Sequence, residues 1–279
     1  MSYLEQVSKP AMQPPMITIV GSPGVGKTSL AGTFPNAIFV QTENAGTVFE
    51  NWSEEVQPDL MPIIAKARKD EQGNMVSSVK DTLMAQVREL ATAEHSYTTL
   101  VIDSITALNI KLEHELALRD GVASVADAAG GFHKGFDVIA NWHADFIYAC
   151  DVLRKRKNMA IVFLAHEGVE KVKNSPDEAS EYSVYSLDMH KKSTALYASS
   201  SDAVFYVRKE AFVNGSETNK KGQTTKYGRL LETGLRQLIT TGDGRVGYVL
   251  AKNRYGMPAE LDLPMGENPI LNHIKYFNK

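Results

Sequence analysis

The sequence predicts an α/β protein: a mostly parallel, twisted β-sheet flanked by helices, with a C-terminal β-hairpin. Three observations predict it. Short, unbroken apolar runs recur at residues 16–20 (MITIV), 37–41 (AIFVQ), 100–102, 159–165 (MAIVFLA) and 203–207, as expected for strands buried on both faces. Between them lie helical patterns. Val79, Leu83, Val87 and Leu90 fall at three- and four-residue steps within 79–95, and Phe136, Ile139, Phe146 and Val152 mark one face of 132–157. Finally, the first run ends in a glycine-rich turn that opens a short helix, 27–34, stopped before Pro35. Strands alternating with helices imply a parallel sheet covered on both sides.

Taken in chain order, residues 1–15 carry three prolines, Pro10, Pro14 and Pro15, and read as an extended arm. Residues 16–279 read as one domain. Two stretches fit neither period: 119–131 (RDGVASVADAAGG), rich in small residues, and 167–192, which is polar. Connections of that length inside a compact domain are functional or disordered. Residues 205–230 read as a lysine-rich hairpin turning near Asn214-Gly215, and 244–251 as a last strand before KNRYGMP.

Composition bounds the chemistry. The chain has 279 residues, 43% hydrophobic and 23% charged, with a net charge of −3. A uniformly basic, DNA-coating surface is excluded; local basic patches are not. No apolar run approaches the ~20 residues of a membrane helix, so no membrane partner is expected. The single cysteine, Cys150, cannot form an internal disulfide, which fits a reducing cytoplasm. Scattered histidines offer no metal site beyond a nucleotide's own ion.

Residues 21–28, GSPGVGKT, match the phosphate-loop pattern G-x-x-x-x-G-K-[ST] between a predicted strand and a predicted helix. Gly21, Ser22, Pro23, Gly24, Val25, Gly26, Lys27, Thr28 and the following Ser29 are the expected nucleotide contacts. Glycines let backbone amides turn inward around a phosphate, and Lys27 neutralises the outer phosphates. Thr28 would ligate Mg²⁺ directly. Asp103, delivered at the end of the buried run TTLVID, would hold it through water; the alternative is an aspartate that merely caps the next helix. Cleavage of a terminal phosphate needs a carboxylate to polarise water. The position after Asp103 is Ser104, so the base must come from elsewhere. Glu43, just past the run 37–41, is the best candidate, against a plain solvated glutamate. His166, ending its strand, is either a phosphate sensor or a structural histidine. Lys252 and Arg254 project the same way from an extended segment, towards the γ-phosphate or simply into solvent.

On these pieces the chain resembles the RecA recombinase family, and more closely the small RecA-like single-strand annealing ATPases of bacteriophages. The resemblance runs over residues 16–258: GSPGVGKT, the strand ending in Gln41-Thr42-Glu43, VIDSITAL at 101–108, IVFLAHE at 161–167 and AKNRYGMP at 251–258. It implies a RecA-type P-loop core binding ATP and Mg²⁺, with Glu43 as catalytic glutamate and Asp103 as the Walker B acid. His166 takes the place of a glutamine that links the γ-phosphate to the second DNA loop. Lys252 and Arg254 match a Lys-x-Lys pair that reaches the neighbouring subunit's ATP, which implies a filament or ring of this chain. Residues 119–134 correspond to a first single-stranded-DNA loop and 170–192 to a second. Arg119, Lys134, Lys171, Lys173, Lys191 and Lys192 are the candidate phosphate contacts, with Tyr182 and Tyr185 between. Histidine for glutamine and arginine for the second lysine depart from the pattern. No appended DNA-binding domain is expected, which favours annealing over strand exchange. The run Arg154, Lys155, Arg156, Lys157 reads better as a helix C-terminus answering the dipole.

Three competitors stand beside this. An AAA-type motor or helicase loader would want an acid directly after Asp103 and an arginine-bearing helical lid. A non-catalytic nucleotide switch would recruit a replication partner such as a single-strand-binding protein. A small-molecule kinase would use the long loops as a lid.

Overall fold

The computed structural model describes the chain apart from residues 1–2, 10, 173–180, 216, 219–223, 227, 243–248 and 279. The first half comprises β1 (Met16–Gly21), α1 (Lys27–Gly32), β2 (Ala37–Gln41), α2 (Gly46–Phe49), β3 (Asp59–Leu60), β4 (Arg68–Lys69), β5 (Met75–Ser77), α3 (Val79–Thr92), β6 (Thr99–Asp103) and α4 (Ile105–Asp120). Then follow α5 (Gly135–Lys157), β7 (Ala160–Val172), β8 (Tyr182–Leu187), α6 (Lys191–Ser200) and β9 (Ala203–Asn214). The chain continues through β10 (Glu217–Thr218), β11 (Thr224–Lys226), β12 (Arg229–Ile239), β13 (Lys252–Asn253), β14 (Glu260–Asp262) and α7 (Pro269–His273).

The main sheet runs in the order β14-β12-β9-β1-β7-β6-β2-β3, with β13 added beside β9 and β8 beside β7. From β9 to β3 every neighbouring pair is parallel; β12, β13, β14 and β8 join antiparallel. The apolar runs are unbroken because both faces are covered. Alternate strand residues feed two cores. Val20, Val40, Ile102 and Phe163 pack with Leu83, Leu108, Phe146 and Tyr197 from α3, α4, α5 and α6. Ile19, Phe39, Val101 and Leu164 pack on the other face with Leu30 and Phe49 from α1 and α2 and Ile270 from α7. Across the first face, Glu115 of α4 accepts the amides of Val79 (2.6 Å) and Lys80 (3.1 Å), so one helix caps another's N-terminus. The four-residue run at 154–157 forms the last turn of α5, where cations meet the negative helix end. Among the described residues no helix is long and apolar enough to cross a membrane.

Several expectations are revised. The run at 159–165 continues to Val172, and β8 folds back on it with Glu167 opposite Leu187. Much of the expected second loop is therefore a β-ribbon, and its end opens a helix, α6, that the sequence pattern did not announce. The helices expected at 27–34, 79–95 and 132–157 run Lys27–Gly32, Val79–Thr92 and Gly135–Lys157. The hairpin is longer than expected: β9 pairs β12 from Asn214 opposite Arg229 to Tyr206 opposite Ile239. The strand expected at 244–251 falls largely on residues outside those described, as do Lys220 and Lys221 of the hairpin.

Candidate active site

Strand register brings the sequence-predicted groups to one edge of the sheet. Gly21 lies beside His166, Gln41 beside Asp103, and Asp103 beside Leu164. This is the carboxyl edge, where parallel sheets bind ligands. Between β1 and α1 the loop turns on Gly24 (φ 75°) and Gly26 (φ 95°), conformations that side chains resist. Gly21 is required by contact instead, since a Cβ there would stand 2.5 Å from the Val207 carbonyl oxygen.

Lys27 is 6% exposed, and its ammonium donates to the carbonyls of Gly21 (2.8 Å) and Ser22 (2.9 Å). Burial lowers its pKa, opposed by the charge of Asp103. Thr28 donates its hydroxyl to Asp103 Oδ2 at 2.8 Å. Burial likewise pushes the Asp103 carboxyl above its ordinary pKa, against the Thr28 hydrogen bond. A buried acid and a buried base, each desolvated and without a direct ion pair, suit a cradle that receives a cation and phosphates. Thr28 and Asp103 converge as a hydroxyl and a carboxylate, hard oxygen donors of the kind Mg²⁺ prefers, so the residues fit that ion.

Glu43 is held at the same edge. Its backbone amide and that of Thr42 donate to the Asp103 carbonyl, at 3.2 and 2.8 Å. The Thr42 hydroxyl donates to the Ser104 carbonyl (2.7 Å) and accepts from the Ser104 amide (2.8 Å), tying the end of β2 to the end of β6. Glu43 Oε1 then accepts from the Ser104 hydroxyl and from His166 Nε2, the latter at 3.1 Å. These hold the Glu43 carboxyl below its ordinary pKa, the His166 hydrogen bond being the largest cause. Ser104 also caps α4, accepting from Ala107 N at 3.2 Å. The residue that looked like a missing acid thus orients the acid delivered by β2. Sequence reasoning overlooked this role for Ser104, as it did Thr42 and Thr106, whose hydroxyl accepts from the His166 amide at 2.9 Å. Thr42 and Ser104 stand directly beside Glu43 and Asp103 in sequence, but nothing local says which groups they bond.

The remaining candidates divide. Lys252 donates to the carbonyls of Ala198 (3.1 Å), Ser199 (2.9 Å) and Ser201 (2.5 Å), closing the C-terminus of α6. Arg254 contacts Asp202 at 3.4 Å and its side chain stays 59% exposed. Both sit beside the start of β9, where Lys252 pairs with Val204, whereas the phosphate loop leaves β1 beside Val207. They do not join the phosphate loop of this chain. Arg119 turns back over the Trp142 ring, 5.1 Å from its centroid. Lys134, Lys171 and Lys191 are exposed, Lys192 is ion-paired with Asp137, and Lys173 lies outside the described residues.

The first loop and the end of the second nevertheless meet. His133 stacks near Phe136 (centroids 6.0 Å, 14°), and Phe136 stacks on His190 (4.4 Å, 13°). Phe132, 91% exposed, stands beside this ladder in sequence. The ladder connects back to the phosphate edge, because the Asp188 amide donates to the His166 carbonyl at 3.0 Å.

A model of the AAA domain matches residues 13–246, which include the phosphate loop, Glu43, Asp103 and His166. The chain belongs to this AAA-domain family. Its sheet has β1 central with parallel neighbours on both sides, the arrangement of a mostly parallel P-loop core. No curated protein matches the chain. Among solved structures it is similar to the crystal structure of the RadB recombinase, at 13% identity and a TM-score of 0.41, covering 82% of this chain and 81% of that one. Lys252 and Arg254 fall outside the AAA-domain match.

Proposed function

We propose that this AAA-domain protein hydrolyses ATP while assembled on single-stranded DNA, and that it promotes strand annealing in recombination. The observation that carries the reading is the seating of Glu43. A carboxylate kept ionised by two side-chain donors stands on the edge that also presents Lys27 and the Thr28–Asp103 pair. Glu43 would take a proton from a water as that water attacks the γ-phosphorus and the β,γ-bridging P–O bond breaks, giving ADP and phosphate. Lys27 would leave the carbonyls of Gly21 and Ser22 for the β- and γ-phosphate oxygens, recovering in charge interaction what burial costs it. Magnesium held by Thr28 and Asp103 would neutralise phosphate charge and fix the leaving group.

The DNA role is supported by the ladder His133–Phe136–His190 with exposed Phe132, Lys134 and Lys191 around it. Aromatic faces flanked by cations suit unpaired bases and their phosphates. The short route from Glu43 through His166 to Asp188 and His190 supports ATP-dependent ordering of that surface. Assembly as a filament or ring is supported by Arg254, remote from its own site and largely exposed. The test is phosphate release in magnesium with and without single-stranded DNA, for the native chain and for Glu43→Gln. Turnover that DNA does not raise, with no DNA retained in ATP or an unhydrolysed analogue, would overturn the reading.

A further inference from the structure

Arg236 is a cation that neither motif nor spacing singled out, yet the sheet aims it at the phosphate loop. Gly21 ends β1 beside Val207 of β9, and Val207 faces Leu238 of β12. Arg236, opposite Lys209, lies two residues before Leu238 on the antiparallel β12, about 6–7 Å beyond the point where the loop begins. It shares a strand face with Leu238, which packs with Val25 and Leu30 in the core beneath the loop. Its guanidinium accordingly rests on the loop. Nη1 donates to the Val25 carbonyl at 3.4 Å and Nη2 to the Pro264 carbonyl at 3.1 Å. A Cβ on Gly26 would stand 2.1 Å from Nη1, so the last glycine before Lys27 is filled by this arginine.

The arginine's electrostatic position is unusual. It is half-buried, burial lowers its pKa, and its described hydrogen bonds go to uncharged carbonyls. A desolvated guanidinium beside a phosphate cradle lacks an anion, and two-pronged donors match phosphate oxygens. The direction of the triphosphate says which phosphate. Asp103 and Glu43 lie on β6 and just past β2, to one side of β1, whereas β9 and β12 lie to the other. With the γ-phosphate drawn towards the acids, the nucleoside end extends towards Arg236.

We propose that Arg236 is a nucleotide-binding residue that grips the α-phosphate end of the bound nucleotide, releasing the Val25 carbonyl to do so. This rests on nucleotide binding at the loop, but not on DNA binding or on Glu43 as base.

The test is titration calorimetry of ADP and of ATP in magnesium with the native chain, Arg236→Gln and Arg236→Lys, alongside steady-state phosphate release. Loss of a charge-assisted contact present in both nucleotides weakens ADP and ATP alike by about tenfold for Arg236→Gln, with Arg236→Lys between. KM should rise with kcat held within about twofold, the pattern of lost uniform binding. Unchanged affinity for both nucleotides would overturn the proposal. So would a loss confined to ATP, which would move the contact to the γ-phosphate, or a fall in kcat at unchanged affinity, which would make Arg236 only a brace for the loop. Circular dichroism identifies a misfolded Arg236→Gln, in which case Arg236→Lys decides by the same criteria. If the native chain binds neither nucleotide, the proposed function fails as well, so the two failures are distinct.

Discussion

Replacing Glu43 by Gln removes the proposed proton acceptor and little else. Oε1 accepts from the Ser104 hydroxyl and from His166 Nε2, and the amide oxygen of glutamine can accept both hydrogen bonds in a side chain of nearly the same size. The backbone links from Thr42 and Glu43 to Asp103 do not involve the side chain at all. Fold and nucleotide affinity should therefore survive. What disappears is general-base catalysis, worth about 10²–10⁴-fold in rate, or roughly 2.7–5.4 kcal/mol of barrier. Because the carboxyl lies below its ordinary pKa of 4.5, it is ionised throughout the neutral range, and the native rate should not fall through titration of Glu43 between pH 8 and 6. The assay pairs phosphate release with calorimetric nucleotide affinity on one preparation. Release by Glu43→Gln within about threefold of the native rate would refute Glu43 as the base, whatever its geometry.

Other consequences are as direct. Phe132→Ala should weaken binding of single-stranded DNA by about 5- to 150-fold, the range for one lost base-stacking contact, with nucleotide affinity unchanged; fluorescence anisotropy with a labelled oligonucleotide reads this, and equal DNA affinity would remove the aromatic ladder from the interface. His143 is fully buried, its Nδ1 accepting from the Tyr197 hydroxyl (2.8 Å) and its Nε2 donating to Asn109 (3.1 Å), and burial pushes its pKa down from 6.5 to about 3. Its folded pKa being depressed, the stabilisation is complete above pH 6.5 and is lost as pH falls towards 3, by about 1.4 kcal/mol per unit. The Tm should thus drop between pH 7 and 5 more steeply in the native chain than in His143→Gln, and parallel profiles would contradict it.

What could be read from sequence was what is contiguous. The phosphate loop declares itself because its eight residues are neighbours in one pattern, and Asp103 because a buried run ends in an acid. Glu43 was reachable only by imagining two strands side by side, and the observed pairing of Gln41 with Asp103 supplies that adjacency. The partnership of Ser104 with Glu43 was not legible, since a serine where an acid was sought reads as a gap. The β7–β8 ribbon escaped because it leaves the core: beyond Ala165 no residue of β7 is buried, and β8 buries only Ser186 and Leu187, so neither offers an apolar run. Helix α6 escaped for the opposite reason, burying Ser193, Thr194 and Tyr197 rather than an aliphatic stripe. Lys252 shows the limit of spacing arguments. Two residues from Arg254 it does project the same way, but onto the carbonyls that end α6. Arg236 reaches the phosphate loop by strand register across a long hairpin, information that no local pattern carries.

The measurement closest to the central claim is ATP turnover in magnesium at increasing single-stranded DNA, with duplex DNA of the same length as the comparison. Coupling from Glu43 through His166 to the surface at His190 predicts a turnover that rises with single-stranded DNA and saturates, and that stays near its basal value with the duplex. A purified chain that neither retains nor cleaves ATP, or cleaves it at one rate regardless of DNA, would contradict the account.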